Sequence, residues 1–361
     1  MNDRDEFVHI SVDQNCDERW ESEENILRDH VEPLFDAPAF RRLETITFLG
    51  ILSPRFAART KSPIFDRESV KKAQFYFDGS RRSHCIGVAS VAFRICRQLA
   101  LNETQQRYAI AWGLLHDLGN WPLSHTAQYA FTQLVGVDTK SVREWLITDD
   151  SRSPQKYRTA EYLERAKIDP ERMLKLFKKD PDAELKVVSS IFKSQLTPDM
   201  LEGVWRSGRA FGIPSPDPFQ FNRAFSSDLL NDIRIVSTHR GLAIEFWKTK
   251  KKIYRRFFGS KAVILWESAW SAAVLDVFSR EDLSLERSLE LDENEIVQRV
   301  CDRGVPKIDC QHRWKPPVQQ RIKKPIPREL VLSSLDKCFI EEPLEVEDEH
   351  ETRRLKRKSV G

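Results

Sequence analysis

The chain has 361 residues, 40% of them hydrophobic and 31% charged, with a formal net charge of +3. That balance is too apolar for a disordered chain and too close to neutral for a polycation, so any nucleic-acid binding must come from a local basic patch. Gly is scarce at 13 residues, Leu, Ala, Glu, Lys and Arg are plentiful, and alternating strand patterns are few, which predicts a mostly helical fold.

Residues 1–22 are polar and acidic and read as a lead-in. The opening MNDRDEFVHI lacks a basic segment followed by an apolar one, so no secretion signal is expected. From Asn25 the pattern predicts a helix, a break at Pro38, and a second helix ended by Gly50, with Phe40, Leu43, Ile46 and Leu49 on one face. Arg82–Leu101 is a strong helix on which His84, Val88, Val91 and Ile95 share a side. Asn102 is a plausible cap for the next helix, which runs through QQRYAIAWGLLHD and stops at Gly119 as a terminating glycine would stop it. A further helix is expected over SHTAQYAFTQLVG, then a linker over 148–156, then helical patterns to Phe192. GIPSPDPFQFN reads as a Pro-rich loop. Ser226 or Ser227 then caps a helix predicted over SDLLNDIRIVSTHRG.

Two more helices cover FWKTKKKIYRRFFGSKAVILW and its continuation; KAVILWESAWSAAVLDVF is very apolar, but Glu267 and Asp276 within it exclude a membrane span. A domain over 23–300 is expected, followed by a mostly irregular Pro-rich extension and charged tail over 301–361. Six scattered cysteines read as reduced thiols in a cytoplasmic protein, and the spacing of Cys301, Cys310 and His312 lacks the paired short loops of a zinc knuckle.

The chemistry concentrates around LLHDLGNWPLSH, where His116 and Asp117 end an apolar helix. Imidazole and carboxylate suit Zn, Mn or Fe. Adjacent residues on a helix diverge by about 100°, so both reach one ion only if it lies beside the helix end and other helices complete the set. His84 and Asp228 are the candidates, with Asp232 and His239 on the predicted face of Asp228. A lone histidine on an apolar face is more often a satisfied core residue, and an acid in a first helical turn is ordinary N-terminal chemistry. That plainer account must hold at three places at once, and it leaves buried ionisable groups without partners.

The order His, His-Asp, Asp resembles the HD-domain metallophosphohydrolases, and among them the dNTP triphosphohydrolase, or dGTPase-like, branch. DAPAFRRLETITFLG is similar to that branch's D-x-P-x-F-x-R-L-x-x-I-x-x-L-G opening, RRSHCIGVA to R-x-x-H-S-x-G-V, and HDLGNWPLSH to HD-x-G-H-x-P-F-S-H. SDLLNDIRIVSTHRG is similar to D-x-x-D-Y-x-x-R-D-x-x-x-x-G, and RRFFGSKAV to R-x-V-Y-x-H-K-x-V. The resemblance implies an all-α HD-domain bundle with one divalent ion, not identified further, held by His84, His116, Asp117 and Asp228. It implies hydrolysis of a dNTP to nucleoside and tripolyphosphate, with His125 as general acid and phosphate contacts from Arg81 and Lys261, with Lys250, Arg143 or Arg255 as helpers. It also implies a homo-oligomer and nucleotide effectors.

The departures fall on the nucleoside pocket. Asn120 stands where the family has a proton-carrying His, Arg143 where it has a His before Glu, and Phe48 where a Gln reads the sugar; Asp232 and Phe258 replace tyrosines. Alternatives are another HD nucleotidase or phosphodiesterase, and a weakly catalytic nucleotide sensor or partner-binding subunit. A nuclease ranks last, because few aromatics interleave with the cations of RRLKRK and RIKKPIPR.

Overall fold

The computed structural model describes residues 16–60, 62, 79–227, 233–235 and 237–304, of which 16–21, 57–58, 227, 233–235, 237 and 261 are described as backbone only. Within them the fold is all-α apart from two three-residue strands. The helices are α1 (Cys16–Asp36), α2 (Pro38–Arg42), α3 (Ala57–Thr60), α4 (Arg81–Gln98), α5 (Glu103–Leu115), α6 (Ser124–Val135), α7 (Thr139–Thr148), α8 (Ala160–Arg165), α9 (Pro170–Phe177) and α10 (Lys186–Lys193). After them come α11 (Pro198–Ala210), α12 (Arg240–Ile253), α13 (Lys261–Phe278), α14 (Leu285–Glu290) and α15 (Glu293–Asp302). Among the described residues no helix is long and apolar enough to cross a membrane.

The central pair is α4 and α5, with α1 and α11 packed on α4, and α13 packed on α6. Ser80 caps α4 by accepting the Ser83 N–H, and Asn102 caps α5 in a reciprocal box with Gln105, as its place in the sequence predicts. Thr197 caps α11 with Pro198 in its first turn, where the missing N–H costs nothing. The core faces are those the apolar spacing marks: Val88, Val91 and Ile95 of α4 are buried, as are Tyr108, Leu114 and Leu115 of α5.

Four local expectations change. α1 begins at Cys16, inside the stretch read as a lead-in, and bends at Val31 just before Pro33. The helix expected up to Gly50 ends at Arg42; tighter turns at 43–45 and 50–52 follow, and Thr47 bridges to Ser80 instead of continuing a helix. The α5 helix ends at Leu115, so Gly119 does not cap it; an added Cβ there would lie 1.8 Å from the Thr139 carbonyl, so Gly119 serves the close approach of α7. The helix expected over 227–241 is replaced at its start by a hairpin: β1 (Phe225–Ser227) pairs antiparallel with β2 (Ile233–Ile235), Phe225 opposite Ile235. β-Branched Ile233 and Ile235 alternating around Arg234 favour an extended chain over a helix. Asp228 and Asp232, between the strands, lie outside the described residues. The loop read over GIPSPDPFQFN closes with a 3-10 turn, Pro218–Ala224.

Candidate metal centre and adjoining cavity

His84 projects from the first turns of α4, and His116 and Asp117 from the turn that follows α5. They converge with Asp199, from the first turn of α11. His84 Nε2 lies 3.1 Å from Asp199 Oδ1 and 3.9 Å from Asp117 Oδ2; His116 Nε2 lies 3.5 Å from Asp117 Oδ2 and 3.8 Å from Asp199 Oδ1. The ligand atoms of His84, His116 and Asp199 all lie within 4.8 Å of one another, and Asp117 forms a second such group with His116 and Cys85.

The tautomers follow from the partners. His116 Nδ1 sits 2.8 Å from the Gly113 carbonyl, which only accepts, so Nδ1 carries the proton and the lone pair is on Nε2. That Nε2 is buried and makes no hydrogen bond. His84 Nδ1 likewise donates to the Glu202 carboxylate one turn along α11, which turns its Nε2 towards the acidic cluster. Glu202 is fully buried and is held in turn by Arg206 through Nε at 2.8 Å. A second carboxylate behind a ligating imidazole is the usual way its ring is fixed. Cys85, 4.0 Å from His116 Nδ1, groups with His116 and Asp117 around the same point; burial pushes its thiol well up in the absence of a metal.

The electrostatics favour positive charge at this point. Burial alone would raise the Asp117 carboxyl, but His116, Arg81, His84 and His125 outweigh it and hold it far below the ordinary carboxylate range. Glu202 is also lowered against burial, by Arg206 and His84, and Asp199, whose side chain is half exposed, is lowered by His84 and His116. Burial would lower His84, yet Glu202 and Asp199 raise it to about 9. With no metal the imidazole takes a proton to neutralise its neighbours; a divalent ion would supply the same positive charge. An orphaned Nε2, two carboxylates and a buried anionic support fit a metal of intermediate hardness.

A cavity of about 340 Å³ opens beside this cluster. Asp117, Asp199, Arg81 and His125 form its polar end; Phe48, Leu49, Leu52, Met200, Val204 and Phe258 form an apolar wall, with Lys250, Tyr254 and Glu267 also lining it. Arg81 is 3% exposed, bonds Asp117 through Nη1 at 2.8 Å and Ser124 through Nε at 2.9 Å, and stacks on Phe48; its Nη2 makes no hydrogen bond. Tyr254 and Phe258 bracket a π-helical turn, closed by Gly259 N–H donating to the Tyr254 carbonyl at 2.6 Å, between α12 and α13.

The residues singled out from sequence divide accordingly. His84 and His116 each approach Asp117 within 4 Å, and Arg81, His125, Phe48, Lys250 and Phe258 line the adjoining cavity. Lys250 is buried over Trp247 and Tyr254, not solvated as an exposed basic face would be. Asn120 is buried in the turn after Asp117, and its Nδ2 has no hydrogen-bond partner. Arg143 does not line the cavity: it lies behind the site, donating to the His116 carbonyl at 3.1 Å and packing over Phe177, because α7 is drawn in at Gly119. Lys261 starts α13, its side chain outside the described residues, and Arg255 belongs to the π-helical turn without lining the cavity.

Sequence reasoning missed Asp199, Glu202 and Arg206. Their signal was partly present: the D-x-x-D-Y-x-x-R-D-x-x-x-x-G pattern set on Asp228 also matches Asp199, Arg206 and Gly212 in register, with Glu202 at its second acid and Gly203 and Ser207 at its Tyr and third Asp.

No protein-family model matches the chain, and no curated protein matches it in sequence. Among solved structures it resembles a hypothetical protein from Aquifex aeolicus, with a TM-score of 0.55 and 19% identity over 75% of this chain and 67% of that one. It also resembles a phosphohydrolase from Bacteroides thetaiotaomicron VPI-5482, with a TM-score of 0.53 and 16% identity over 72% of this chain and 65% of that one. The chain thus spans about two thirds of the length of these structures, and at such identities the likeness is one of fold.

Proposed function

We propose that this protein is a metal-dependent phosphohydrolase of the HD type that acts on nucleotides, with deoxynucleoside triphosphates as substrates. The observation that carries the reading is the bare, buried Nε2 of His116 facing Asp117 and Asp199 beside His84. A divalent ion bound there would lower the pKa of water towards neutrality and polarise a phosphoryl oxygen. In the hydrolysis, water oxygen bonds to the α-phosphorus, the P–O5′ bond breaks, and a proton passes to O5′ to give nucleoside and tripolyphosphate. Arg81, with an uncommitted Nη2, would hold phosphate oxygens at the polar end, and His125 would deliver the proton to O5′. The apolar wall would take the base and sugar. With Phe48 and Phe258 in it, sugar hydroxyls are read by shape more than by hydrogen bonds. Homo-oligomeric assembly, nucleotide effectors and a cytoplasmic location are part of this proposal, by resemblance.

A panel of dNTPs with Mn, Mg, Co or Ni, scored for nucleoside and tripolyphosphate, tests it. Turnover is expected in the wild type and lost in His116→Ala. Release of inorganic phosphate from monophosphates, or opening of cyclic nucleotides, would move the activity to another HD branch. Binding without turnover under every metal would make the protein a nucleotide sensor.

A further inference from the structure

Leu123 and Ser124 both lie in the left-handed region, at φ 61° and 49°, which L side chains rarely adopt and which persists only where the surroundings over-determine it. Two contacts grip this pair. Glu293, 1% exposed at the start of α15, accepts the Leu123 N–H at 2.6 Å; the same carboxylate accepts the Thr47 N–H at 3.2 Å and the Thr47 hydroxyl at 3.3 Å. From the other side Gly50, itself at φ 57°, approaches so closely that a Cβ would stand 2.2 Å from the Leu123 carbonyl oxygen.

The gripped turn feeds the site directly. The Ser124 hydroxyl donates to the Thr47 carbonyl at 2.5 Å and accepts from Arg81 Nε, whose Nη1 holds Asp117. His125 follows in the chain and lines the cavity. The Leu123 N–H and Thr47 hydroxyl both reach Oε1 and the Thr47 N–H lies between the two oxygens, while the hydroxyl also has the Gly50 carbonyl at 3.3 Å; without the carboxylate the Leu123 and Thr47 amides would be buried unpaired.

We propose that Glu293 is a positioning residue: its carboxylate, supplied by α15, holds the turn that aims Ser124 at Arg81 and carries His125 to the cavity. The effect on rate rests on the phosphohydrolase reading; the effect on the turn does not.

Glu293→Ala and Glu293→Gln in the full chain test this by hydrogen–deuterium exchange over residues 117–130, by titration with Mn(II), and by kcat and KM on whichever nucleotide the wild type turns over. In Glu293→Ala, exchange over 117–130 is expected to quicken about tenfold while that of α4 is unchanged. kcat should fall about tenfold or more, with KM and Mn(II) affinity within about threefold, since misplacement of reacting groups lowers rate more than binding. Glu293→Gln, whose amide oxygen still accepts the Leu123 N–H, should fall between wild type and Ala, and it supplies the comparison if the Ala variant does not fold. Unchanged exchange over 117–130 overturns the proposal, as does a loosened turn with wild-type kcat. If the wild type hydrolyses no nucleotide, the phosphohydrolase reading fails, and the exchange result alone upholds or refutes the hold on the turn.

Discussion

Glu202 touches His84 and Arg206 but does not line the cavity, so changing it alters one imidazole without altering what the cavity presents to a ligand. Glu202→Gln keeps the shape and removes the charge that fixes the Nδ1 proton. Metal affinity, read by calorimetric titration with Mn(II), is expected to fall about 10- to 100-fold; an unchanged affinity would show that the ring needs no anionic support. His84 itself sets a pH dependence. Its folded pKa is raised from 6.5 to about 9, so the stability it contributes to the metal-free protein is full below 6.5 and is lost as pH rises through about 9. The ion must displace the same proton, so metal affinity should climb across that window while metal-free thermal stability declines. Melts and titrations across the range check both slopes. Two flat profiles would mean that His84 is neutral throughout.

At the scale of elements, the turn after α5 is held from three sides. Arg42, buried at the end of α2, donates to the Leu118 carbonyl at 2.7 Å and the Asn120 carbonyl at 2.9 Å, Arg143 of α7 donates to His116, and Glu293 of α15 accepts from Leu123. Arg143→Ala should therefore lower thermal stability, by about 1–3 kcal/mol for an unpaired carbonyl and lost packing, and leave KM alone. A KM raised with stability intact would restore the substrate contact that the sequence motif implies. These holds explain what could and could not be read in advance. His84, His116 and Asp117 were legible because their helices obey local rules: a 3.6-residue apolar period, a capping box at Asn102, a helix end at an apolar run. Asp199 was legible only through its register with Arg206 and Gly212, since by itself an acid after Thr197 and Pro198 is ordinary helix-start chemistry. Its approach to His84 depends on α11 crossing α4, a contact with no local signature. The 225–235 hairpin escaped for the opposite reason: Asp228, Asp232, Ile235 and His239 recur at helical steps, and that spacing outweighed β-branched Ile233 and Ile235 in the sequence, although not in the fold.

For the whole molecule, the cluster joins segments far apart in the chain: His84 from α4, His116 and Asp117 after α5, Asp199 from α11. Anything that bridges them stabilises the native state and finds no such site in the unfolded chain, where these groups are scattered. Metal should therefore raise the unfolding temperature. At a free ion concentration about 100 times Kd the gain is about 2.7 kcal/mol, and a chain of this size should respond by several degrees. A chelator should remove the increment. His116→Ala should abolish it, while the metal-free variant loses the Gly113 hydrogen bond and the packing on Trp112, so the increment is read against each variant's own metal-free melt. Asp199→Ala is the sharper variant. If Asp199 is the carboxylate from the third helix, the metal-dependent increment disappears. If Asp228 holds that place, Asp199→Ala keeps the increment and Asp228→Ala loses it. Scanning calorimetry of the three variants with Mn(II) and with chelator decides between them, and an increment that survives in all three would remove the metal centre from this cluster altogether.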